Sequence, residues 1–269
     1  MTNRNNWKTG LSAGLASPEN LARAAEGGIQ TLEVTGIKQG LDWSDLPKWV
    51  ADSGVTVQSY HLPFIWPKQG TCSNPATLDP VEWEQTKQNC VPAIENASQG
   101  GVGIFVIHPS LEPNPEEGPE REALIESSIE HLSYLSDICR KNGSILAVED
   151  LPRTCLGNTD AELLRIMKAN SDLRVCFDVN HLLKGTHADF IKTLAPYIVT
   201  THISDYDFVD ERHIFPTESR NGYEGKINWG ELQRLLEEAD YDGAWLYEVY
   251  MDERPYSDVA KNRKMLLGL

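Results

Sequence analysis

No stretch of the 269 residues is apolar for anything near the roughly 18 positions that a membrane-crossing helix requires. A helical membrane span is therefore not expected. Cysteine pairing is missing too. Cys72, Cys90, Cys139, Cys155 and Cys176 form no Cys-x-x-Cys motif, and an odd count in a chain this long argues for reduced thiols over a disulfide framework. Positive charge is scarce: 24 Lys and Arg against 40 Asp and Glu leave a formal charge of −16. A surface that negative repels nucleic acid and anionic membranes, so neither is expected as a partner. The first residues, MTNRNNWKTG, lack an apolar stretch of signal-peptide length. The expectation is a cytoplasmic protein that handles small neutral or metal-chelated molecules. No internal repeat, low-complexity tract or interdomain linker interrupts the chain, so residues 1–269 read as one domain.

What is present is a strand-then-helix rhythm. The stretch Lys8–Leu15 opens it, and a helix starts at Ser17-Pro18, a cap followed by proline at the first helical position. Ile29–Val34 is the second strand, a helix runs through Leu46–Ala51, and Val55–Leu62 is the third strand. After an insertion, Pro63–Leu78, Asp79-Pro80 begins a long helix that stops at Gly100-Gly101, and Val102–His108 forms the fourth strand. Its β-branched residues suit a buried parallel strand. A helix spans about Glu120–Asn142, and the runs ILAVE, LRVCFD, IVTTH and WLYE supply strands five to eight. Thr159 to Glu162 reads as a capping box, and further helices begin near Trp229 and Ser257. Eight such units in one chain of this length are best accommodated by closing the sheet into a single (β/α)8 TIM barrel, an α/β fold without open edges.

In that register the strand ends carry Glu33, His61, His108, Glu149, Asp178, His202 and Glu248. Any one alone is most simply a hydrogen-bonded barrel residue. Seven acids and imidazoles on one rim are different, because their desolvation needs compensation that a cation supplies. Glu149 in AVEDLPR, Asp178 and His181 in CFDVNH, His202 in VTTHISDYD and Glu248 in LYEVY resemble the metal-site motifs of the xylose isomerase-like TIM barrel superfamily. Its members include ketose 3-epimerases, hydroxypyruvate isomerases, inosose dehydratases and endonuclease-IV-type hydrolases. The stretch from Asp210 to Pro216 and then Gly225 to Trp229 resembles a loop of sugar isomerase relatives. It departs from that pattern where Thr217–Asn221 follow the proline and where Asn228 replaces an aspartate.

The donor set, Glu149, Asp178, His202 and Glu248, is mostly oxygen and suits Mn²⁺, Mg²⁺ or Co²⁺, with Zn²⁺ as an alternative. Such an ion, chelating a carbonyl and its neighbouring hydroxyl, acidifies the intervening C–H and stabilises an enediolate. The resemblance implies that Glu149 and Glu248 are catalytic as well as ligating. His61, His108, His181, Glu33, Trp66, Arg212 and His213 are the expected substrate-binding set. Endonuclease-like relatives instead use histidines at the positions of His61 and His108 for extra zinc ions, with Asp210 and His213 available to complete a cluster, so nuclearity stays open at this point. The sequence favours a sugar isomerase or epimerase with a small-molecule sugar partner. A dehydratase using the same proton abstraction is adjacent, a phosphodiester hydrolase is third, and self-association into a homo-oligomer is compatible with all of them. After the eighth strand, Val249 to Pro255 contains no glycine and two acids, which favours a non-phosphorylated substrate.

Overall fold

The computed structural model describes residues 3–64 and 73–268. Eight parallel strands form the barrel: β1 (Thr9–Ser12), β2 (Thr31–Val34), β3 (Thr56–His61), β4 (Ile104–Ile107), β5 (Ile145–Glu149), β6 (Arg174–Asp178), β7 (Ile198–His202) and β8 (Trp245–Tyr247). Each pairs with the next, β8 pairs with β1, and a parallel bridge from Ile203 to Tyr247 joins β7 to β8, which closes the ring. The helices are α1 (Pro18–Glu26), α2 (Leu46–Ser53), α3 (Pro80–Gln99), α4 (Pro119–Lys141), α5 (Asp160–Ala169), α6 (His187–Leu194), α7 (Trp229–Glu238) and α8 (Ser257–Leu267). No helix among the described residues is long and apolar enough to cross a membrane.

The helix starts follow from the caps. Ser17 accepts from Asn20 N ahead of Pro18, and Asp79 accepts from Val81 N ahead of Pro80. Thr159 accepts from Glu162 N as its motif predicts, yet the Glu162 carboxylate returns to Gly157 N at 2.7 Å instead of to the cap residue itself. Arg121 of α4 holds the same carboxylate, at 2.7 Å, which draws it away.

The pleat positions the site. Successive strand residues face opposite sides, so Phe105, Leu146, Val148, Val175 and Phe177 belong to the main core between sheet and helices. Phe177 stacks on Phe190 of α6 at 4.5 Å. Val106, Ala147 and Cys176 form a separate small cluster on the other face, inside the barrel. Two residues further along those strands stand His108, Glu149 and Asp178, on that same inner face at the C-terminal mouth. Trp7, stacked on Trp245 with centroids 5.6 Å apart, is buried in the core. Trp43 and Tyr60 pack edge to face in the same core.

Candidate metal centre

Ligand atoms of Glu149, Asp178, His202 and Glu248 all lie within 4.8 Å of one another. His202 Nδ1 is the focus: it sits 3.1 Å from Glu149 Oε1, 3.1 Å from Glu248 Oε2 and 3.9 Å from Asp178 Oδ2. Register puts them there, since Asp178 pairs with His202 and Glu149 with Cys176 across adjacent strands. Asp178 Oδ1 accepts from Asn180 N at 2.7 Å, whereas its buried Oδ2 has no hydrogen-bond partner. An unpartnered carboxylate oxygen aimed at an imidazole and two further carboxylates is what a divalent cation satisfies.

The electrostatics agree. Burial alone would raise Glu149 and Glu248, but the His202 imidazole outweighs it and holds both below the ordinary carboxylate range. Burial pushes Asp178 up to about 7, reinforced by Glu248 and Glu149 and opposed by His181. His202 moves well above the usual imidazole value because Cys176, Glu248, Glu33 and Glu149 outweigh its burial. Without a cation the ring thus favours protons on Asp178 and His202 and not on Glu149 or Glu248, and its residues fit a hard divalent ion.

Around the quartet stand further donors. Glu149 Oε2 lies 3.0 Å from His61 Nε2 and 3.3 Å from His108 Nε2. His61 Nδ1 donates to the Leu62 carbonyl at 3.0 Å, which leaves Nε2 for the carboxylate. Burial lowers His108, while Glu149 keeps His61 raised against its own burial. His181 Nδ1 donates to the Asp150 carbonyl at 2.8 Å, and its Nε2 sits 3.2 Å from Glu211 Oε2. His181, Glu211 and His213 form another group of converging donors, as do His61, His108 and Glu149.

A pocket of about 380 Å³ opens onto this rim, lined among others by Glu149, Glu248, His61, His108, His181 and His213, with Phe64, Leu111, Leu151 and Tyr250 as apolar walls. That size lies in the range of small-molecule sites. Two expected substrate residues, Glu33 and Arg212, have other places. Glu33 is fully buried behind the ring, its Oε1 2.9 Å from His202 Nε2 and its Oε2 accepting from Ser59 at 2.9 Å. Arg212 turns away from the pocket, pairing with Asp207 at 3.2 Å and covering the Tyr223 ring at 3.8 Å. Trp66 lies outside the described residues. Asp210 pairs with Arg153 at 2.9 Å, and it is the neighbouring Glu211 that faces the histidines.

Sequence reasoning overlooked Asp150, Arg153 and Glu211. Asp150 accepts from Asp178 N at 2.7 Å, and burial pushes it up to about 8. All three adjoin singled-out motif residues, and adjacency to AVE and to His213 was the available signal.

A closed parallel barrel with a buried ring of metal-type donors at its C-terminal mouth defines the class: a TIM barrel whose candidate active site is built from strand ends. The chain belongs to the xylose isomerase-like TIM barrel family, whose model matches residues 21–267. Similar solved structures include a D-tagatose 3-epimerase-like protein, 22% identical, covering 96% of this chain and 97% of that one with a TM-score of 0.78. A D-psicose 3-epimerase from Clostridium cellulolyticum H10 is 17% identical over 97% of both chains, TM-score 0.72. An AP endonuclease of family 2 from Brucella melitensis is 18% identical over 92% and 95%, TM-score 0.69. Among curated proteins none matches this chain.

Proposed function

We propose that the chain is a divalent-metal-dependent isomerase or epimerase of non-phosphorylated sugars or keto-sugars. The observation that carries the reading is the convergence of Glu149 of β5 and Glu248, just past β8, on His202 Nδ1, each at 3.1 Å, with both carboxylates lining the pocket. Glu149, Asp178, His202 and Glu248 would hold a Mn²⁺, Mg²⁺ or Co²⁺ ion, which when bound would supply an electrophile to acidify the C–H between a carbonyl and its neighbouring hydroxyl. Glu149 and Glu248 reach the substrate from strands on different sides of the mouth. One takes the proton from carbon, and the other returns a proton to the opposite face for epimerisation. A single carboxylate moving the proton between carbons gives isomerisation instead. His181 orients a substrate oxygen, and Phe64 and Tyr250 offer aromatic faces to the sugar. Expulsion of a β-hydroxyl after the same abstraction is the dehydratase variant.

The two extra donor groups, His61 with His108 and His181 with Glu211 and His213, favour a second reading as a polynuclear metal hydrolase. Against it stands the scarcity of free positive charge at the pocket. Arg153, the one Lys or Arg lining it among the described residues, is engaged by three carboxylates. The test is to load the protein with Mn²⁺, incubate it with a panel of ketoses in D₂O and follow deuterium at carbon by NMR. Exchange at the carbon next to the carbonyl is expected, and Glu248→Gln lowers its rate by about 10²- to 10⁴-fold. Loss of water from the product would select the dehydratase. Phosphodiester cleavage with no carbon exchange would replace the proposal with the hydrolase.

A further inference from the structure

The guanidinium of Arg153 occupies an unusual place. It leaves β5 four residues after Glu149, in the left-handed backbone region with φ 53°, a conformation that a residue other than glycine adopts only when its surroundings enforce it. Its Nη2 lies 2.5 Å from Glu112 of the β4 loop, and its Nη1 lies 2.9 Å from Asp210 and 3.1 Å from Glu211 Oε1 of the β7 loop. The other oxygen of Glu211 faces His181 Nε2 at 3.2 Å, and that nitrogen is 3.5 Å from Asp178 Oδ2. His181 and His213 both spend Nδ1 on carbonyl oxygens, of Asp150 and Glu248, so each keeps Nε2 as its remaining donor. Imidazole nitrogens held this way beside a carboxylate are the usual preparation of a metal ligand.

We infer that Arg153 stands in for a second cation: its guanidinium neutralises Glu211 from within the chain and keeps the His181, Glu211 and His213 donors from holding an ion of their own. This inference rests on the metal-dependent reading of the neighbouring quartet. The physical basis is competition for one carboxylate. Three acids, Glu112, Asp210 and Glu211, converge on Arg153, and of them only Asp210 has a second guanidinium nearby, Arg212 at 3.8 Å. An added divalent ion beside Glu211 would sit next to that fixed positive charge and be repelled by it. Without the arginine the same acids, with two imidazoles, become a mixed oxygen and nitrogen site for Mn²⁺, Co²⁺ or Zn²⁺. Arg153 is thus a positioning residue that sets how many ions the mouth accepts.

Equilibrium dialysis of the full chain against Mn²⁺, followed by elemental analysis, tests this. The metal-to-protein ratio of Arg153→Ala should exceed that of the unaltered protein by about one, since a single donor group is released. Arg153→Lys, which keeps the charge, should match the unaltered protein, and adding His213→Ala to Arg153→Ala should remove the gain. An unfolded variant cannot mimic a gain that depends on His213. An unchanged ratio in Arg153→Ala, or a loss of metal on His213→Ala alone, overturns the inference while leaving the quartet intact. Absence of bound Mn²⁺ from the unaltered protein overturns the metal reading itself.

Discussion

Glu149, Asp178 and His202 stand on strands and are at most 1% exposed, whereas Arg153, Glu112 and Asp210 stand on loops with 32–41% of their side-chain surface open. Both sets crowd carboxylates together at the same mouth. The strand-borne ring cannot relieve its repulsion by moving, because ladder register fixes the spacing of its members. It therefore draws in protons or a cation. The loop-borne set carries its own counter-charge in Arg153 and is satisfied without any ligand. Like-charged groups thus signal a binding site where the scaffold denies them both separation and an internal partner.

Asp205 joins the two regions, and breaking it gives the largest effect. It lies three residues past His202, 1% exposed, and begins the loop that carries Asp210, Glu211 and His213. Its Oδ1 accepts from Tyr206 N at 2.9 Å and Ile227 N at 3.0 Å, and its Oδ2 from Thr217 N at 3.1 Å and Trp229 Nε1 at 2.9 Å. Gly225 is obligatory beside it, since a Cβ there would approach the carboxylate carbon to 2.2 Å. Asp205→Ala strands those donors in the interior and should cost about 3–5 kcal/mol of unfolding free energy. Urea denaturation measures it; a loss below about 1 kcal/mol would show that the loop is anchored elsewhere.

Glu33 sharpens the inner side of the comparison. It does not line the pocket at the ring, and its Oε1 stands 2.9 Å from His202 Nε2 as an ion-pair contact without hydrogen-bond geometry, on the far side of the imidazole from the Nδ1 that meets the other carboxylates. Glu33→Gln should weaken Mn²⁺ binding by about 10- to 100-fold with the fold retained. Calorimetric titration checks this, and unaltered affinity would mean that packing alone orients the imidazole.

The strand-borne donors were legible because a parallel barrel turns a one-dimensional feature, the last polar residue of an apolar run, into a position. Glu149, Asp178 and His202 end β5, β6 and β7 in the structure, and Glu248 follows β8 by one residue. The strands themselves came out shorter than their apolar runs: Lys8–Leu15 yields Thr9–Ser12, and Val102–His108 yields Ile104–Ile107. Apolar character continues into loops that pack on the core, so periodicity alone overruns the ladder. Side-chain direction was harder to read. Glu33 is next to last in its run and His202 last in its own, and their β2 and β7 ladders carry register irregularities at Leu32/Glu33 and Val175/Cys176, which shift where each side chain falls. Loop partners had no periodic signal at all. Asp210, Glu211 and Arg212 are adjacent, and their backbone is held by contacts without a sequence period, among them Asp210 N donating to Asp207 Oδ1 at 3.2 Å, Arg212 N donating to Asn180 Oδ1 at 2.9 Å and the left-handed turn at His213, φ 45°.

The smallest effect belongs to the clasp, and its smallness is informative. Arg153 makes more ion pairs than any other described arginine at the mouth, but its partners are part-exposed and solvent screens them. Pairs of that kind contribute about 0–1 kcal/mol each, and relief of the strained backbone at Arg153 does not follow from trimming its side chain. With three such pairs, Arg153→Ala should therefore lower unfolding free energy by about 0–3 kcal/mol, below the loss at Asp205, even as it alters metal content. Parallel urea titrations of the two variants make the comparison directly. A drop at Arg153 as large as that at Asp205 would mean that the loops need the clasp to fold, and the distinction between a scaffold-held ring and a self-neutralised rim would fall with it.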